Sequence, residues 1–406
     1  MRYKTIFAID SFFLKTIIIL AQSFSSSPSS KPTAWQERGF ASVYRVASWL
    51  TDPICSAHRL YRQIFIVDAH YPMATELERW VRKSLLVFGS SAHALLSLIT
   101  TFPGIALRFI VISLQNNPYI YFRGDGEEKQ LMDKSFTLLS WNLCCVSGGY
   151  SITEGGVLPW IYRIHLLTSA VCSQNADVVC LFEIFDIQTA LQLIEGLKSS
   201  YAHFYFNIGP STIGLSSGMF VASKVKVANP AFVPFTQKSL DGRSKHCNKG
   251  VFAFDVLDEG KNVVRIFSTH LQHSEIPDNP THGELKSRRD EMEIILIQIR
   301  ENQDKSCVLT GDLNLEEWEY QASDWKECFA EGKIESQGCT WGGDQFCSAL
   351  VGKPSSSPAT LDHTMITTDT NATITTSYIE TGFNAALFKP EALSDHKGLL
   401  SIIQFK

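Results

Sequence analysis

Basic charge is scarce in this 406-residue chain: Lys and Arg total 36 against 41 Asp and Glu, for a net charge of -5 and a pI of about 6.1. A protein that grips duplex DNA neutralises phosphates with a basic surface, so the balance disfavours a nucleic-acid partner. Thiolate metal spacing is missing too. The ten cysteines contain no C-x-x-C pair. Cys144, Cys145, Cys180 and Cys307 lie in apolar strand-like runs and Cys172 on a helix, which reads as small buried hydrophobes in a reduced compartment. Cys339 and Cys347 flank a Gly-rich loop and could pair in a secreted protein. There is no internal repeat, and no clean signal peptide. The apolar stretch 6–21 is interrupted by Asp10 and Lys15, so a leader and an interfacial helix both stay open.

What is present divides into two parts, 1–126 and 135–406. The first is predicted to be helical and membrane-associated. Its main feature is "LLVFGSSAHALLSLITTFPGIALRFIVISL", 85–114. The run up to Phe102 is just long enough to span a bilayer, and Pro103-Gly104 is a turn signal. The remainder, with Arg108, is too short to span. Two unequal apolar arms around Pro-Gly predict a re-entrant hairpin, with a buried hairpin of a soluble domain as the alternative. Arg79, Arg82 and Lys83 stand just before it. Each such cation contributes about 1 kcal/mol near anionic headgroups, so anionic phospholipids are expected partners. A cytosolic membrane face is favoured, and a secreted form stays open.

The second part alternates strands and helices. "FTLLSWN" (136–142) reads as a strand, and the segment 157–175 puts Val157, Trp160, Ile161, Ile164, Leu167 and Val171 on one helical face. "ADVVCLFEIF" is a buried strand, with Asp186 capping the helix that follows. "KGVFAFDVLDEGKNVVRIFSTH" is a hairpin, and the helix "GELKSRRDEMEIILIQIREN" feeds the strand "SCVLTGDLN". This order predicts an α/β protein with two sheets covered by helices on both outer faces.

Polar residues recur where those strands end. They are Asn142, Glu183, His270, Asp312 with Asn314, Asp362, and Asp395-His396. Burying such groups unpaired costs several kcal/mol each. Any one of them has a bland reading as a turn residue or cap; six strand ends together suggest convergence on something charged.

The segments "SWN" (140–142), "CLFEIF" with Glu183, "STHLQ" (268–272), "GDLN" (311–314), "LDHTMI" (361–366) and "SDHKG" (394–398) resemble, in content and order, the endonuclease/exonuclease/phosphatase superfamily. The resemblance implies a DNase I-like four-layer α/β/β/α sandwich over 135–406 and metal-dependent phosphodiester hydrolysis. A hard divalent cation fits the oxygen-rich set better than zinc, so Mg²⁺ is expected, with Mn²⁺ as a substitute. Glu183 is the expected metal ligand, with Asn142 beside it and Asp395 within reach. His396 is the expected general base, oriented by Asp362. His270 and Asn314 suit the non-bridging phosphate oxygens, and Asp312 the nucleophile or an adjacent oxygen.

Within that superfamily, "STHLQH" and "CNKGVFAFDV" (247–256) are similar to segments of the neutral sphingomyelinases, which makes Lys249 a substrate-phosphate or loop-gating candidate. The apolar arms followed by "NNPYIYFRG" (116–124) resemble the membrane-bound members. The resemblance implies cleavage of sphingomyelin to ceramide and phosphocholine at a membrane. A nuclease or another phosphodiesterase of the superfamily remains an alternative, as does a phosphoinositide phosphatase, although "LSDHKG" lacks the Lys/Arg-rich motif of that branch.

Overall fold

Continuous apolar runs form the central strands here, and capped amphipathic segments form the helices over them. The structure, a computed structural model, describes residues 34–64, 74–131, 135–145, 157, 160–258, 261–274, 279–331, 333–334, 338–341, 359–368, 372–379, 382–383 and 391–405. The stretch 6–21 and Cys347, with its pairing to Cys339, lie outside them.

Two long helices come first, α1 (Ala34–Ile64) and α2 (Glu76–Leu114), then the edge strand β1 (Ile120–Arg123). The next elements are β2 (Ser135–Asn142), α3 (Trp160–Gln174), β3 (Val178–Phe182), α4 (Ile187–Leu197), β4 (His203–Phe206) and β5 (Phe220–Ser223). They are followed by β6 (Val227–Pro234), β7 (Gly250–Asp258), β8 (Lys261–His270), α5 (His282–Arg300) and β9 (Cys307–Asp312). Short strands β10 (Phe329–Glu331) and β11 (Lys333–Ile334) precede β12 (Asp362–Thr367) and β13 (Ala372–Ile379). A small pair, β14 (Gly382–Phe383) with β15 (Glu391–Ala392), leads to β16 (Gly398–Phe405).

These strands make an eight-stranded sheet, β1-β4-β5-β3-β2-β16-β13-β11, and a six-stranded sheet, β10-β12-β9-β8-β7-β6. Phe136, Leu138, Val178, Cys180, Phe252, Phe254, Ile266 and Val308 fill the layer between them. Outside the larger sheet, Leu139, Trp141 and Leu181 pack with Leu167 and Val171 of α3 and Leu193 of α4. Outside the smaller one, Val251, Phe267 and Leu309 meet Met292 and Ile295 of α5. The result is the four-layer DNase I-like sandwich with an apolar N-terminal helix. Helix α5 starts at a capping box, Thr281 with Glu284, which satisfies two of its orphan N–H groups.

The predicted hairpin turn at Pro103-Gly104 is not there. Helix α2 runs unbroken from Glu76 to Leu114 with Pro103 inside it. The reversal lies instead between α1 and α2, which pack antiparallel. Ser90 Oγ donates to Ala57 O at 2.8 Å and Arg108 Nη2 to Thr51 Oγ1 at 2.8 Å. Gly104 marks the close approach of the pair: a Cβ there would meet Thr51 Cγ2 at 2.7 Å and Ala47 O at 3.0 Å. Helix packing, not a turn, explains this glycine. By length and composition α2 is long enough and apolar enough to cross a membrane.

The boundary drawn before 135 also moves. Strand β1 pairs antiparallel with β4, Ile120 opposite Phe206, so the sandwich takes in residues assigned from sequence to the first part. Phe40 and Tyr44 of α1 and Val111 of α2 join the outer core of the larger sheet, which docks the helical pair onto the sandwich.

Candidate active site

Strand register brings the polar residues to one rim. Parallel β2 and β3 pair Asn142 with Phe182, so Glu183 emerges next to Asn142. In the other sheet, His270 of β8, Asp312 of β9 and Asp362 of β12 are direct partners across three adjacent strands. Gly311 permits this: a Cβ on it would lie 1.8 Å from Thr269 O, a distance no side chain tolerates. His396 precedes β16, and Trp141 Nε1 holds its carbonyl at 2.9 Å. Ser394 Oγ donates to Asn142 O at 2.5 Å and accepts from the His396 N–H at 3.2 Å.

Asp312 is the hub of the cluster. Its Oδ2 accepts from Asn142 Nδ2 at 2.8 Å and faces His270 Nε2 at 3.6 Å and His396 Nε2 at 3.7 Å. Its Oδ1 accepts the Asn314 N–H at 3.1 Å. Asn142 Nδ2 also reaches Glu183 Oε1 at 3.2 Å, so one carboxamide ties the two sheets together. His396 Nδ1 bonds Asp362 Oδ2 at 2.8 Å. His270 Nδ1 and Asp362 Oδ1 are buried and have no hydrogen-bond partner among the described residues. Glu183 (φ 63) and Asn314 (φ 51) both occupy the left-handed backbone region. Asparagine enters this region readily, whereas for Glu183 it costs about 1 kcal/mol or more.

Crowding sets the electrostatics. Burial, then the neighbouring Asp395, push the Glu183 carboxyl up to about 7, against the pull of His396 and the Asn142 hydrogen bond. Burial likewise lifts Asp312 to about 6, although His396 opposes it. Burial disfavours protonation of His396, but Asp362, Asp312 and Asp395 together outweigh it and hold the imidazole well above its ordinary value. His270 goes the other way, well below its ordinary value, through burial and then the Lys249 charge.

The donor set suits a hard cation. Ligand atoms of Asp312, Asp362 and His396 lie within 4.8 Å of one another, a buried acidic and imidazole group able to hold a metal ion. Asp362 and His396 already bond each other, however. Glu183 and Asp395 repel each other on the adjoining side, where a cation would also relieve the crowding of negative charge. Asn142, expected beside Glu183 at the metal, uses both ends of its carboxamide within the protein. Its Oδ1 accepts the Cys144 N–H at 3.0 Å, and its donor end faces the carboxylates. In this arrangement Asn142 orients Glu183 and Asp312.

All the other predicted residues gather at the same rim. Asp395 is half-buried beside Glu183. Asn314 Nδ2 lies 3.4 Å from Leu271 O. Lys249 is buried and its Nζ donates to the same carbonyl at 2.5 Å, beneath the residue after His270. Asp241, the acidic residue upstream of Lys249, caps Gly242 N and pairs with Lys245 at 3.4 Å.

Sequence reasoning missed Arg163. It is fully buried, and its guanidinium donates to Leu143 O at 3.0 Å, Cys144 O at 2.6 Å and Leu393 O. It thus clamps the loop after β2 to the segment before His396. A signal existed: Arg163 falls between Trp160 and Leu167 on the apolar face of α3. Ile161, assigned to that face, is 61% exposed instead.

Residues 139–396 match the Endonuclease/Exonuclease/phosphatase family. Among solved structures, a beta toxin of Staphylococcus aureus with bound magnesium ions is 20% identical, with TM-score 0.56, covering 67% of this chain and 100% of that one. SmcL is 21% identical, TM-score 0.55, covering 66% and 98%. Sphingomyelinase C from Streptomyces griseocarneus is 18% identical, TM-score 0.54, covering 66% and 98%. At these identities the likeness is one of fold.

Proposed function

The chain belongs to the endonuclease/exonuclease/phosphatase family, and from that membership we propose a Mg²⁺-dependent phosphodiesterase of the phospholipase C type that hydrolyses sphingomyelin to ceramide and phosphocholine at a membrane surface. The observation that carries the chemistry is the Asp362–His396–Asp312 chain, an imidazole bonded on one nitrogen at 2.8 Å and facing a carboxylate with the other.

Glu183 and Asp395 would hold the cation, which supplies charge relief at the phosphate. In its neutral form His396 would take the proton of the attacking water at Nε2, while Nδ1–H stays bonded to Asp362, which fixes the ring. Asp312 aligns that water. His270, kept neutral by burial, and Asn314 offer N–H groups to the phosphate oxygens as charge builds on them. Asn142 holds Glu183 and Asp312 at fixed separation.

Support for a lipid substrate comes from the helices attached to the sandwich. Leu85, Phe88, Leu95, Leu98, Ile99 and Phe102 of α2 are exposed, and Arg79, Arg82 and Lys83 lie within about two turns before this face, where anionic phospholipids would meet them. Cys144, Cys145 and Cys180 are buried among apolar side chains, in keeping with small core thiols of a reduced compartment and a cytosolic face. The test is Mg²⁺-dependent release of phosphocholine from sphingomyelin vesicles, run beside plasmid nicking and phosphoinositide dephosphorylation. Release from vesicles is expected. Nicking or phosphoinositide turnover without it would transfer the assignment to another branch of the family.

A further inference from the structure

The ladder of β8 ends at His270, whose last register partner is Asp312. The orientation of the imidazole therefore depends on what holds the next two residues, and there every main-chain polar group is bonded. Leu271 N–H donates to Asp312 O at 3.0 Å, and Leu271 O accepts from Lys249 Nζ at 2.5 Å and Asn314 Nδ2 at 3.4 Å. Gln272 N–H donates to Glu291 Oε2 at 2.8 Å, and Gln272 O accepts from Arg288 Nη1 at 3.1 Å. Glu291 and Arg288 stand three residues apart on one face of α5. Both are fully buried. Arg288 is anchored in turn by Glu319, with Nη2 at 2.8 Å and Nε at 3.0 Å from its carboxylate.

We propose that Glu291, seconded by Arg288, is a positioning residue for His270: α5 grips the main chain of Gln272 from below and so holds the imidazole against Asp312. A carboxyl is an unusual choice for a dry site, because burying it charged and unpaired is costly. Glu291 Oε1 is buried and has no hydrogen-bond partner among the described residues. Burial pushes this carboxyl up to about 8, with Lys249 and the Gln272 N–H opposing. At neutral pH it therefore serves mainly as a neutral acid whose carbonyl oxygen accepts one N–H, a task a glutamine side chain can also perform. The inference rests on the reading of His270 as a group facing the phosphate.

The test compares the full chain with E291Q and with E291M, which keeps the volume and removes the acceptor. Turnover of sphingomyelin vesicles and of bis(p-nitrophenyl) phosphate is measured in Mg²⁺, well below the unfolding transition. E291M is expected to lose about tenfold or more in kcat with KM little changed, since small misplacements of a reacting group have effects of this order. E291Q is expected to stay close to the parent. Amide exchange in the segment 268–273 reports independently of turnover. It should rise about tenfold in E291M and hardly change in E291Q. Unchanged kcat and exchange in E291M, or equal damage in E291Q, would overturn the assignment. If only the soluble diester is hydrolysed, the sphingomyelin reading fails and the comparison of variants still stands on that diester. If neither substrate turns over, the exchange rates decide.

Discussion

Along α2 the side chains of Phe88, Leu98 and Phe102 stand 74%, 78% and 78% exposed. At the strand ends, Asn142, His270, Asp312, Asp362 and His396 are all buried. The helix turns apolar surface outward, and the sandwich rim turns charge inward. Each reverses the usual partition of residue types, and each reversal marks a part of the sequence that serves something beyond folding. Large exposed apolar surface marks an interaction site. A buried polar cluster is stable only when its members satisfy one another or a ligand.

The sharpest way to break this comparison is at the rim. His396→Ala is expected to lower turnover about 10³-fold, the usual scale for removing a general base, with the circular dichroism spectrum retained and a lower Tm, because the buried Asp362 carboxylate loses its partner. Near-parental turnover would reduce the buried cluster to a structural network. Arg163→Met comes next. It leaves three carbonyls without their donor, at about 1–3 kcal/mol each if none is rehydrated. A fall in the urea midpoint equivalent to about 3 kcal/mol or more is the expected result. An unchanged midpoint would mean that the loops bordering the rim hold their shape without it.

The outward face is probed by Phe88→Asn, Leu98→Asn and Phe102→Asn combined. Vesicle co-sedimentation should fall by about tenfold or more, because each side chain is worth about 1.5–3 kcal/mol when buried in an apolar medium. Hydrolysis of a soluble phosphodiester should be unaffected. Equal losses on both substrates would show that the two regions are not separable.

The smallest expected effect is in pH. Glu183 and Asp312 titrate near 7 and 6 in the folded protein, above their ordinary 4.5 and 3.8. Their contribution to stability is therefore full below the ordinary values and is lost as pH rises through 6 to 7. Metal-free protein should lose Tm from these groups across that window. Added Mg²⁺ should raise Tm by about a few degrees more at the alkaline end than at the acid end. Differential scanning calorimetry at both ends of the window checks this, and a larger Mg²⁺ effect at the acid end would contradict it.

Much of this was legible beforehand where local rules dominate. Apolar runs such as Val178–Phe182 and Cys307-Val308-Leu309 form strands because nothing polar interrupts them. Asp186 declares the start of α4. Pro103-Gly104 misled for the converse reason. As a dipeptide it favours a turn, yet inside a long apolar helix packed against α1 the proline is accommodated and the glycine becomes a contact point. Arg163 and Glu291 escaped notice because a charge within a helical pattern reads as solvent-facing until its partners are known.

The sequence alone settled which residue types are carried to the strand ends and in what order, since strand periodicity and apolar runs are local properties. Tertiary structure decided which of them meet. Register across β8, β9 and β12 sets His270, Asp312 and Asp362 side by side, and Asn142 joins one sheet to the other. Those distances depend on how two sheets stack and how far each strand slides, and a one-residue slip would send every such side chain to the opposite face.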